Sequence, residues 1–186
     1  FRYCVNPKKV REEIFTEFNA QIQKIVNANI KISHLDTEKH MHTFPFIYKI
    51  TLQIAEKYDI HAVRFPYERM TFAALHNPSQ CVKTFIMNVF APFNIRLLKK
   101  SGKNSPDSLY GIFLSKKFTV TNLQKLFIKL PPGIHELSCH PGYEPEVIKN
   151  YIDRYRTQEL ETLTDARIQD SLKKQGIVLS TFLDIN

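Results

Sequence analysis

Apolar residues recur at helical spacing near the start of the chain. Val10, Ile14, Phe18, Ile22 and Ile25 stand three or four positions apart, which places them on one side of an α-helix. Asn6 is suited to cap that helix and Pro7 to its first turn. "IKISHLD" changes the period and reads as a strand. Pro45 opens a second helix with apolar positions Ile47, Ile50, Leu52, Ile54 and Ala55, and "HAVRF" is a short strand ending at Pro66. A long helical region follows around "QCVKTFIMNVFAPFNIRLLKK", with Pro92 as an expected break or kink. After the loop "SGKNSPDS", "LYGIF" is strand-like, "TVTNLQKLFIKL" helical, and "PPGIHELSCH" a turn feeding another strand. Residues 147–163 and 165–175 read as helices, and "IVLSTF" as a last strand.

Strands alternating with helices argue for parallel βαβ units, an α/β fold. Such sheets gather reactive residues at the carboxyl ends of their strands. The polar run after "IKIS" and the "CHPGY" stretch after "HELS" are therefore expected on one rim. No repeat, low-complexity tract or linker interrupts the pattern, so residues 1–186 read as a single domain.

The run "HLDTEKHMH" carries three histidines, an aspartate and a glutamate in nine residues. In an extended chain, alternate residues point the same way, and His34, Asp36, Glu38, His40 and His42 would then share one face. Imidazole plus carboxylate suits zinc, manganese, cobalt or iron. The spacing is not that of a helical HExxH site, because Glu38 is followed by Lys39 and His40. A solvated polar loop is the competing reading. His140 in "CHPGY" and Arg64 after "HAVRF" are further rim candidates. Cys139 and His140 would point to opposite faces of a strand, which argues against a thiol–imidazole dyad. Glu159 and Glu161 read as helix surface.

The chain has 186 residues, 43% of them hydrophobic, enough for one domain with a core. Its three cysteines lack CxxC spacing and read as reduced thiols in a cytoplasmic protein. No apolar run suggests a membrane span. The formal charge is +8, but the lysines are dispersed, so nucleic acid is not the expected partner. A non-catalytic basic domain binding nucleic acid or a protein remains the alternative to an enzyme.

"ISHLDTEKHMHTFP" resembles the signature of the YdjC-like carbohydrate deacetylases. "AVRFP" resembles the family's next strand, "LPPGIHELSCHPGY" its Glu-Leu-Met-Cys-His-Pro-Gly strand end, and "ELETLTDARIQDSLKKQGIVLSTFLDI" its closing segment. The resemblance implies a distorted TIM-like (β/α) barrel, here partial, with parallel strands alternating with helices. It implies one divalent metal, with magnesium or zinc expected, and removal of an acetyl or related acyl group from an amino sugar or oligosaccharide. Glu38 stands where many members have a ligating histidine, so Glu38 and His40 are the implied metal ligands. His140 is implied as the acid that protonates the departing amine, and Asp36 as an orienting carboxylate. His34 and His42 would line the sugar pocket or brace the rim, and Arg64 would contact a substrate hydroxyl or acid group. The family's Asp-Asp strand and Gly-x-His segment have no counterpart here. The expectation is a carboxy-terminal portion of the barrel, inactive alone, and either poorly soluble or paired with a second copy through unpaired strand edges.

Overall fold

The computed structural model describes residues 7–68, 78–114, 117–143 and 151–185. The first apolar stripe forms α1 (Pro7–Asn27), and Ile14, Phe15, Phe18 and Ile22 lie half-buried against the core. Asn6, the expected cap, lies outside the described residues. Past the helix, Asn29 turns the chain at a φ of 56°, a conformation asparagine tolerates better than most residues.

β1 (His34–Leu35) pairs in parallel with β2 (Ala62–Val63), His34 opposite Ala62 and Leu35 opposite Val63. β3 (Ser108–Tyr110) pairs in parallel with β4 (His135–Leu137), with Leu109 opposite Glu136. The two pairs are stitched together. Asn104 bridges to Ala62, its carbonyl accepts from the Val63 amide at 2.9 Å, and the Leu109 amide donates to the Tyr67 carbonyl at 2.7 Å. At the end of β3, Gly111 has a φ of 121° and a Cβ placed there would stand 2.1 Å from the Ser138 carbonyl oxygen. Only glycine lets β3 and the β4 exit approach this closely.

Between the strands run α2 (Pro45–Lys57), α3 (Pro78–Ser101) and α4 (Val120–Lys129). α5 (Tyr151–Thr164) and α6 (Ala166–Lys174) follow β4. α2 is the central helix: Ile47, Tyr48, Ile50, Leu52, Ile54 and Ala55 are all buried. Each large aliphatic side chain taken from water contributes about 1.5–3 kcal/mol, which binds α1, α2 and the first strand pair into one core. A second cluster of Phe118, Leu123, Phe127 and Ile168 joins α4 to α6.

Three expectations are corrected. Pro92 does not end α3, which continues through it to Ser101 with the ring exposed. "IVLSTF" forms no strand. Val178 and Leu179 stay exposed, so a ladder there would bury no apolar face. The tail is instead tied by side chains, with His61 Nε2 2.9 Å from the Phe182 carbonyl and Asn104 Nδ2 donating to the Ile185 carbonyl at 3.2 Å. Finally, Cys81–Ser101 meets the length and composition of a membrane span, at a mean hydropathy of 1.2 with 28% of the window buried. Its inward side is that of a packed surface helix: Asn88 Nδ2 donates to the Glu68 carbonyl at 3.0 Å and Asn94 Nδ2 to the Thr43 carbonyl at 2.8 Å.

Candidate active site at the strand ends

The carboxyl ends of β1, β2 and β4 converge on Arg64. Its Nε donates to both oxygens of Glu136 at 2.9 Å, Nη2 donates to Glu136 Oε1, and Nη1 donates to Asp36 Oδ2. Planar, bidentate geometry makes this the strong form of an ion pair. The Arg64 and Glu136 side chains are 14% and 12% exposed, whereas Asp36 is 43% exposed. With its fork engaged by two carboxylates, Arg64 braces the rim. Asp36 accordingly orients Arg64.

Beyond Asp36 the extended pattern stops. Residues Glu38–Thr43 form a 3-10 segment in which Lys39 (φ 52°, ψ 24°) and His40 (φ 57°, ψ 38°) are left-handed. Thr37 holds the bend: its Oγ1 accepts the His42 amide at 2.9 Å and lies 2.6 Å from His42 Nδ1. The period-two expectation is therefore corrected, and the five polar residues do not share a face. Glu38 is exposed, His40 half-buried and His42 0% exposed. His34 is occupied elsewhere. Its ring stacks on Phe182 at 3.7 Å and 7°, and Ser33 Oγ lies 2.9 Å from its Nδ1.

Burial sets the state of these imidazoles. It pulls His42 down to about 3, helped by the charges of His40 and Arg64. It pulls His40 down to about 4, helped by Lys83 and Arg64, with His140 adding to the same effect. Both rings are neutral at neutral pH. His40 Nδ1 and His42 Nε2 are buried without a hydrogen-bond partner, and the ring centroids are 6.2 Å apart. When His42 Nδ1–H donates to Thr37, Nε2 keeps its lone pair. A neutral imidazole with a free nitrogen suits a divalent cation, and His42 also has Thr37 bonded behind it. The two rings fit it in part: no group of three or more histidine, cysteine or acidic side chains gathers among the described residues, whereas a catalytic site of this kind uses about three protein ligands.

His140 follows β4 on the same rim and its ring is exposed. Its backbone amide donates to Glu159 Oε2 from α5, and the Gly142 amide donates to the Arg156 carbonyl at 3.2 Å. Glu159 is thus not helix surface; it is 6% exposed, while Glu161 is exposed as expected. Burial, then the charges of Glu159 and Glu136, push the Cys139 thiol up, so it stays protonated.

Three site residues escaped the sequence reading. Glu136 was readable in principle, as an acid inside a strand whose parallel partner lies in the core. Glu68 is 2% exposed, and its Oε1 accepts the Gly111 amide at 3.0 Å. Burial pushes it up to about 7, held back by the backbone amides of Gly111, Phe113 and Ile112 and by Lys83. Lys83, half-buried on α3, feels both Glu68 and Glu38. No local pattern marks either residue, since they meet only when α3 packs across the rim.

Parallel strand pairs flanked by helices, with polar side chains at the strand ends, define an α/β protein with a strand-end site. The chain belongs to the YdjC-like protein family, whose model matches residues 1–174. It is 28% identical over 180 residues to a carbohydrate deacetylase of Brevibacillus brevis, covering 95% of this chain and 62% of the relative. It is 27% identical to one of Halalkalibacterium halodurans, covering 87% and 57%. A carbohydrate deacetylase of Xenopus laevis is 23% identical, covering 97% and 66%. The chain thus spans about three fifths of the length of these curated relatives. A crystal structure from Enterococcus faecalis, of a protein described as a candidate cellobiose-phosphate cleavage protein, superposes with a TM-score of 0.71 at 18% identity, covering 92% of this chain and 60% of that one. That likeness concerns the fold.

Proposed function

We propose that these residues form part of a metal-dependent carbohydrate deacetylase, the carboxy-terminal portion of a distorted barrel, acting on an N-acetylated amino sugar or oligosaccharide. The supporting observation is the meeting at one rim of His40, which has an unpartnered nitrogen, and His140, whose charge acts on it. The family and the names of the relatives supply the reaction class.

His40, with Glu38 on the same turn and His42 behind it, would hold a divalent cation such as magnesium or zinc. Bound there, such an ion polarises an acyl carbonyl and acidifies water. Among the described residues, the chain's own groups would serve the leaving-amine side of the reaction. His140, exposed at the strand exit and fixed through its backbone by Glu159, donates an imidazole proton to the departing amine. Arg64 and Asp36 hold the ends of β1, β2 and β4 in one arrangement, so the acid and the metal-holding turn keep their spacing. His42 braces the turn from inside, and His34, stacked on Phe182, fixes the start of β1.

Acetate release from N-acetylglucosamine oligomers, measured on this chain extended upstream to the length of its relatives, tests the reading. It should need a divalent ion, stop with a chelator, and fall roughly 10²–10⁴-fold in His140→Ala, the usual contribution of a general acid. Turnover indifferent to both the chelator and His140→Ala would refute it.

A further inference from the structure

One flank of α3 faces the Glu38–Thr43 turn. Phe90 and Asn94 lie on it: the Phe90 ring meets Phe44 at a centroid distance of 5.7 Å, and Asn94 Nδ2 donates to the Thr43 carbonyl at 2.8 Å. Lys83 stands seven residues before Phe90, close to two full turns, and so projects from the same flank. On the other flank Asn88 Nδ2 donates to the Glu68 carbonyl at 3.0 Å. The half-buried Lys83 is thereby set between two acids, Glu38 on the turn and Glu68 beyond β2, and its charge reaches both.

This cation differs from its neighbour on the rim. Arg64 is locked to Asp36 and Glu136, whereas among the described residues Lys83, Glu38 and Glu68 take part in no salt bridge. Glu68 Oε2 is buried without a hydrogen-bond partner. Burial apart, Lys83 is also what most opposes a positive charge on His40. A metal ion is a positive charge delivered to the same ring. A divalent ion meets twice the repulsion that a proton meets at the same distance.

We propose that Lys83 is a built-in rival of the divalent cation: before the ion arrives its ammonium satisfies Glu38, and loading requires it to swing to Glu68. The inference rests on the reading of His40 and Glu38 as cation ligands. The side chain is made for such a move, a point charge with three donors on a flexible four-carbon stem. Glu68 makes the move favourable, because its idle oxygen gains a donor and the half-buried ammonium keeps a counter-ion. The arrangement also selects by charge. A monovalent ion brings no more charge to Glu38 than the ammonium it would displace, so only a divalent ion gains by entering.

Calorimetric titration of cobalt(II), an ion that imidazole binds well, into the chelator-treated chain at pH 8 tests this. Lys83→Gln and Lys83→Met should each bind at least about tenfold more tightly than wild type, and Lys83→Arg should match wild type. Glu68→Gln, which removes the second resting place, should bind more weakly than wild type. His40→Ala should abolish the heat in every background, which separates this site from the other histidines. Far-UV circular dichroism checks that each variant folds, and either neutral Lys83 variant suffices. Equal affinity in wild type and the neutral variants would overturn the proposal while leaving the cation site in place. Tighter binding in Glu68→Gln would overturn the swing to Glu68. The absence of any His40-dependent heat would overturn the proposal together with the site itself.

Discussion

Replacing Glu68 with glutamine should reshape how stability depends on pH. The carboxyl is 2% exposed and titrates near 7 in the folded chain, against an ordinary value of 4.5. Such a rise is worth roughly 3 kcal/mol. The sign follows from which state loses its proton first. As pH climbs from 4.5 to 7 the unfolded carboxyl ionises before the folded one, so folding loses stability across that window and stays weakened above it. Glutamine keeps an oxygen for the Gly111 amide but adds an N–H group where Oε2 had no partner, a pH-independent cost of about 1–2 kcal/mol. Glu68→Gln should therefore be less stable than wild type near pH 4.5 and more stable by about 1–2 kcal/mol at pH 8. His40 and His42 act in the opposite sense. Folded values of about 4 and about 3 lie below the ordinary 6.5, so their contribution is complete above 6.5 and lost as pH falls. Both proteins share that trend, so it cancels in the difference. With no tryptophan in the chain, urea unfolding followed by far-UV circular dichroism is the assay. A stability difference that stays flat from pH 5 to 8 would refute the reasoning.

Arg64→Lys keeps the charge but not the fork that holds Glu136 and Asp36 together. A loss of about 2–3 kcal/mol in urea unfolding is expected, discounted because Asp36 is partly exposed. Gly111→Ala places a methyl 2.1 Å from the Ser138 carbonyl oxygen at a φ of 121°; it should lower stability by at least ~2 kcal/mol and is checked by thermal melting. Glu159→Ala releases the His140 amide, so hydrogen exchange at residue 140 should accelerate at least tenfold while α4 and α6 keep their protection. An unchanged rate there would show that Glu159 does not fix the loop.

The helices were legible because apolar spacing survives folding unchanged. α2 begins at the expected Pro45 and buries the expected side chains, and both pairings found are parallel. The site was legible as a neighbourhood but not as a geometry. Period two in "HLDTEKHMH" reflects composition; Thr37 captures the His42 amide and ring, and the chain coils into left-handed Lys39 and His40 without any glycine to announce it. Glu159 sits in a polar helix, and its burial depends on a backbone amide nineteen residues away in sequence. Glu68 and Lys83 likewise owe their perturbed charges to tertiary packing, which spacing along one segment does not encode.

The ladders here are two and three residues long, too short for backbone pairing alone to choose an alignment. Sliding β4 by one position would turn Glu136 to the opposite face and leave the guanidinium of Arg64 confronting Leu137. The salt-bridged triad is thus a vernier: misaligned assemblies would strand the largely buried Arg64 and Glu136 without a charge partner, a penalty that ladders this short do not supply by themselves.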